Sequence, residues 1–191
     1  MTTRRTTAPL GLAVSLAEAK ETLRIESADT SLDATIILWL KAITREAEHK
    51  TQRSFVSQGW RVTLDAFPAA IKLDYAPIIS VQSVKYYDEN NVQQTLSPLD
   101  YFLDSVSEPS YIVPSPGATW PATFSKINSV EVDYTAGYGV DETNVPETAQ
   151  NYILAKLSVQ FDPAVAGSVT TVAQPFTVSY LDRLLDEIRI Y

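Results

Sequence analysis

The chain has 191 residues, 45% apolar and 20% charged, the balance of a globular protein forming one large domain or two small ones. It has no cysteine, which excludes disulfides, thiolate metal sites and thiol chemistry, and its one histidine, His49, cannot make a histidine cluster. A net charge of −8 suits phosphate binding poorly, and no apolar run approaches the ~20 residues of a membrane span.

The N-terminal MTTRRTTAPLGLAV lacks the apolar core of a secretory signal, so the expectation is a soluble protein made in the cytoplasm. The charge is uneven. Residues 1–61 hold 9 bases and 7 acids, whereas residues 62–191 hold 6 bases and 16 acids. Such asymmetry serves complementarity between copies or with a partner, and it serves solubility equally well.

Residues 1–14 are Thr-rich and aperiodic, and read as a flexible N-terminal arm. Ser15 and Glu18 then form a capping box ahead of a short helix over 16–25. Leu32, Ile36, Leu40, Ile43 and Ala47 recur at steps of four or three, which predicts a second helix from Ser31 to Arg53. Lys41, Arg45, His49 and Arg53 stand at steps of four along another stripe of it. The texture changes near residue 58. Alternation in WRVTLDAF, AIKLDY, IISVQSVKYY, VQQTL, DYFLDS, YIVP and NSVEVDYTA predicts about seven short strands between 58 and 136. Pro146 suits a first helical turn, and Ala149, Ile153, Leu154, Leu157 and Phe161 continue a helix to about 161. Residues 162–177 have no period. SYLDRLLDEIRIY predicts an amphipathic C-terminal helix with Leu181, Leu184, Leu185 and Ile188 on one side.

The implied fold is α+β: a helical core of about four helices with an inserted small antiparallel β-sandwich or barrel. The implied divisions are an arm (1–14), a helical core (15–57 plus 142–161), an inserted β-unit (58–141), and an extended arm with a C-terminal amphipathic helix (162–191).

Chemistry is hard to place on this pattern. Gly137 and Gly139 lack the spacing of a phosphate loop and read as a turn. Asp65 with Asp74, or Asp100 with Asp104, offers the residue types of an acid/base pair, yet exposed strands that alternate acid and apolar look the same. No GxSxG elbow accompanies the serines. No catalytic, cofactor or metal site is assigned, and no enzyme is expected. Trp60, Trp120 and the tyrosines of the strands could form a sugar platform, although aromatics in a small β-unit usually build its core.

The segments SLAEAKETLRI, EAEHKTQRSF, QGWRVTLDAFP, PIISVQSVKYYDENN, GATWP, VEVDYTAGYG and VPETAQNYILAKL, in this order and spacing, cover most of residues 15–161. Together they resemble the head–tail connector (adaptor) proteins of tailed bacteriophages, in the longer branch with a β-insert. That family often has glycine where Gln52 stands and a closing Tyr-Arg pair where this chain has IRIY. The resemblance implies a structural virion protein of the neck between capsid and tail, with no cofactor. It would form a homo-oligomeric ring, twelve copies being usual in that position. The ring would sit under the portal protein, hold a tail or stopper protein, and surround the channel through which DNA passes without specific binding.

Under that reading, Lys41, Arg45 and Arg53 are candidates for a subunit interface or the channel. Phe176, Tyr180, Leu181, Leu184, Leu185 and Ile188 are candidates for a portal-binding face, as a helix-in-groove stripe. The alternative is a carbohydrate-binding or host-recognition module built on the β-unit.

Overall fold

The computed structural model describes residues 1–161 and 179–190, with only the backbone of Ser179 and Tyr180. The chain divides into two compact units: Met1–Leu10 with Ser57–Tyr138, and Gly11–Val56 with Gly139–Tyr191. The architecture is α+β, with antiparallel sheets in the first unit and the helices in the second.

In the first unit, β1 (Thr2–Thr7), β2 (Gln58–Leu64), β8 (Val130–Ala136), β4 (Ile78–Tyr87) and β5 (Gln93–Thr95) form one sheet in that order. β3 (Ile71–Leu73), β7 (Ser110–Pro114) and β6 (Tyr101–Asp104) form a second. Seven strands thus lie between residues 58 and 136, as alternation predicts. Along β2 and β8 the period is strict. Trp60, Val62 and Leu64 face inward opposite Tyr134, Val132 and Val130. Ile71, Leu73 and Ile112 from the other sheet join the same apolar cluster. Trp60 stacks on Tyr75 with centroids 3.9 Å apart, and the Tyr134 hydroxyl donates to the Asp74 carbonyl at 2.8 Å. Burial pushes the Tyr134 phenol well above its usual range. On the outer face Arg61 grips Asp133 through two bonds of 2.7 and 2.8 Å.

The N-terminal residues correct the expectation of a loose arm. Thr2–Thr7 is a strand paired antiparallel to β2. Threonine is β-branched and fits a pleated surface. Gly59 lets β1 approach, since a Cβ there would lie 2.9 Å from Thr6 Oγ1. The β-unit is therefore built from two chain segments rather than from one insertion.

In the second unit, α1 (Leu16–Thr22) begins at the Ser15–Glu18 capping box. α2 (Asp33–Thr51) and α3 (Glu147–Phe161) follow, and all three pack on one another. Ile36, Leu40, Ile43 and Ala47 of α2 and Ala149, Ile153 and Leu157 of α3 are buried. Lys20, almost fully buried, pairs with Asp33 at 2.8 Å and donates to the Ser27 carbonyl, tying α1 to the start of α2. Gly139 stands against Asn144, whose Oδ1 would be 2.0 Å from a Cβ at that position.

α2 ends at Thr51, two residues short of expectation. Gln52 caps it in the left-handed conformation at φ 57°, a backbone state that costs a non-glycine residue about 1–2 kcal/mol. The predicted C-terminal helix is also shorter. α4 (Ser179–Asp182) is a single turn, and Arg183–Ile188 tightens into a 3-10 segment.

Two stability outcomes follow. Trp60→Ala should cost about 3–5 kcal/mol in a urea titration, because a fully buried indole leaves a cavity. Gln52→Gly should instead raise stability by about 0.5–1 kcal/mol, relieving the positive φ.

Candidate functional site

The two residue sets singled out by sequence both fall in the second unit. Lys41 and His49 are exposed on α2. Arg45 reaches the carboxylate of Glu48 at 3.6 Å. Glu48 is buried and accepts the Phe55 backbone N–H at 2.9 Å, so this pair anchors the chain leaving α2. Arg53 does not continue the stripe. The helix has already ended, and its largely buried guanidinium turns inward and donates through Nε to the Ile188 carbonyl. The expected four-residue stripe thus stops at His49, because the left-handed turn at Gln52 breaks the helical period.

Of the apolar set, Phe176 lies outside the described residues, as does the side chain of Tyr180. Leu181, Leu184 and Ile188 are half-buried, and Leu185 is buried. The 3-10 segment contacts both α2 and α3. Just beyond it, the Ile190 N–H donates to the Thr51 carbonyl at 3.1 Å. Leu185 is therefore a core residue of this unit rather than a free docking anchor. The physical reason is proximity. The groove between α2 and α3 belongs to the same chain and needs no partner to cover it.

A polar cluster that sequence reasoning missed fastens this segment. Lys50 Nζ lies 2.7 Å from Glu46, 2.8 Å from Asp182 and 3.3 Å from the Tyr152 hydroxyl. Lys156 reaches Glu46 at 3.3 Å. Glu46 and Lys50 are neighbours by their four-residue spacing on α2, whereas Asp182 is brought in by the fold. Burial works against ionisation of Glu46, but hydrogen bonds from Lys50 and Lys156 outweigh it and hold the carboxyl below its usual range. Burial likewise opposes the Lys50 charge, and its bonds to Asp182, Glu46 and Tyr152 hold the ammonium above its usual range. Burial pushes the Tyr152 phenol up to about 12.

Three of the four carboxylates considered for catalysis accept hydrogen bonds. Asp65 accepts the Asn128 N–H, Asp74 accepts the Thr3 hydroxyl, and Asp104 caps the turn at Val106 and Ser107. Trp60 is buried, and Trp120 is half-buried with one face stacked on Phe67 at 4.7 Å. An open cleft of about 550 Å³ lies between Asp65, Ala66 and the 123–127 loop. Among the described residues, no group of three or more His, Asp or Glu is placed to hold a metal ion.

No protein-family model matches the chain. No curated protein matches it at significance either. Solved structures do match along its full length. One is a chain from the neck of an empty GTA particle computed with C6 symmetry, at a TM-score of 0.77 and 21% identity, covering 100% of this chain and 96% of that one. Another is from the virion of a native gene transfer agent (GTA) particle, at 0.75 and 23%, with the same coverage. A third is from the neck of a native GTA particle computed with C12 symmetry, at 0.72 and 24%, again covering 100% and 96%. At these identities the likeness establishes a shared fold.

The Lys50 cluster makes a checkable statement. Lys50→Met should cost about 0.5–1 kcal/mol and speed hydrogen exchange in residues 183–190 before any other part of the second unit. The pH dependence has two limbs. Glu46, depressed in the fold, contributes stability above the unfolded carboxylate pKa of ~4.3 and loses it as pH falls. Lys50, raised in the fold, contributes fully below ~10.4 and loses it as pH rises. A melting-temperature profile should therefore fall off at both ends in the wild type, and Lys50→Met should flatten both limbs.

Proposed function

We propose that this chain is a structural neck protein: a head–tail connector, or adaptor, that forms a ring under the portal and surrounds the DNA exit channel. The observation that carries the reading is the full-length fold likeness to chains from GTA particle necks, at TM-scores of 0.77 and 0.72. Those necks were computed with C6 and C12 symmetry, which supports a cyclic assembly for a chain of this fold. The sequence resemblance to phage connectors, spread over residues 15–161, points the same way from different data.

The role is architectural, with no turnover. It joins capsid to tail and belongs in the virion neck. An acidic chain suits a channel, because a surface with few cations releases few counterions from DNA and lets it slide. Lys41, exposed on α2, stays a candidate for the subunit interface or channel, and Arg45 does so only through its outer part. The portal-facing role of the C-terminal segment rests on the half-buried Leu181, Leu184 and Ile188, together with Phe176 and Tyr180. Leu185 supports the fold beneath them.

Native mass spectrometry of the chain with a cognate portal tests this reading. The expected result is a portal-bound ring of twelve 21.1-kDa copies. A chain that stays monomeric and leaves the portal mass unchanged at micromolar concentration would overturn it.

A further inference from the structure

The two sheets of the first unit have four edge strands, β1 and β5 in one and β3 and β6 in the other. Among the described residues, β1 pairs only with β2 and β6 pairs only with β7, and these are the longer two of the four edges, β3 and β5 having three residues each. β1 and β6 lie on opposite flanks. Thr3 Oγ1 donates to Asp74 at 2.7 Å, which sets β1 beside the end of β3. β5 leads into β6 through residues 96–100, and Leu96 still bonds to Val84 of β4, which sets β6 on the β5 side.

The two edges differ in charge. Residues 1–10 contain Arg4 and Arg5 and no acid. Residues 97–110 contain Asp100, Asp104 and Glu108 and no base. They also match in length, because β1 runs in regular register over Thr2–Arg5 before its bulge, and β6 is the four residues Tyr101–Asp104. The β6 edge is apolar as well as acidic: Leu99, Phe102 and Val106 are 85%, 58% and 91% exposed. Unpaired strand edges invite another strand, and large exposed apolar side chains beside one strengthen the invitation.

We propose that β1 of one copy adds to β6 of the next, so that neighbouring subunits share strands around the ring. The partner is a second copy of this chain, since the complementary edge is its own. Opposite flanks make the contact heterologous, the kind that closes a cyclic assembly rather than a two-fold dimer. Main-chain bonds would supply affinity, and the arginines against the carboxylates would supply direction. The inference rests on the ring reading above and names the surfaces that build it.

The chain has no cysteine, so engineered pairs report cleanly. Thr2→Cys, Thr3→Cys, Arg4→Cys and Arg5→Cys would each be mixed with Phe102→Cys under mild oxidation, with native mass read alongside. Both side-chain parities of β1 are then sampled, and directly opposed residues bring Cβ atoms within about 4.5–5.5 Å, close to disulfide range. The expected result is a ring mass with dimers linking a β1 variant to Phe102→Cys, and no dimers from any variant alone. A ring without mixed cross-links would overturn the shared strands and leave the ring reading standing. With the cognate portal present, a monomer without cross-links would overturn both. Cross-links within a single β1 variant would show a two-fold contact and overturn the proposal too.

Charge exchange supplies the second arm. Arg4→Glu with Arg5→Glu should weaken assembly at least tenfold, as should Asp100→Lys. Combining all three should recover most of the loss. Asp104 is left alone because it caps its own turn. Variants that keep their melting temperature yet show no such recovery would contradict the pairing.

Discussion

The first unit depends on β8, the central strand of the five-stranded sheet, paired to β2 and to β4. Every second residue of it is buried, and Val130, Val132, Tyr134 and Ala136 form the middle of the apolar cluster. A central strand has no slack in register, because a slip of one residue would turn those four side chains to solvent and bring Glu131 and Asp133 inside. The Arg61–Asp133 fork on the outer face fits only the native register, and so favours the same alignment as the core. The cross-strand pairing of Trp60 with Tyr134, and the stacking of Tyr75 on that indole, build on it.

The helical unit solves a different problem. α2 and α3 each carry an apolar stripe, and the C-terminal 3-10 segment fills the groove they leave. The filling is only partly apolar. Leu185 is the buried anchor, while Lys50, Arg53 and the Thr51 carbonyl hold the segment through polar contacts near the end of α2. Such a seat is specific in position but modest in strength, since partly exposed ion pairs contribute little each.

The charge asymmetry of the chain acquires a location in the fold. Arg4 and Arg5 stand on β1, and Asp100, Asp104 and Glu108 stand on or beside β6. A subunit that is acidic overall repels its copies at a distance, so close association needs local complementarity to overcome the net charge. Under the proposed strand sharing, β1 and β6 would provide it, since their edges differ in sign and each has one strand neighbour among the described residues.

Much of this was legible beforehand, and the parts that were not share a cause. Period-two alternation over 58–136 and period-3.6 spacing in α2 and α3 placed the elements, because burial of one face imposes those repeats directly on the residue string. The Ser15–Glu18 box marked the start of α1 for the same local reason. The strand at Thr2–Thr7 carries no apolar alternation, since it is an edge strand exposed on most of its length, and only its pairing with β2 makes it a strand. The inward turn of Arg53 depends on the left-handed Gln52, and the burial of Leu185 depends on a groove formed by helices more than a hundred residues apart. The Lys50–Asp182 bond spans 132 positions. The sequence by itself determined which stretches bury a face and with what period, because that information is local. Only the tertiary structure decided which edges stay open, which cations turn inward and what covers the α2–α3 groove, because those depend on distant segments arriving at the same place.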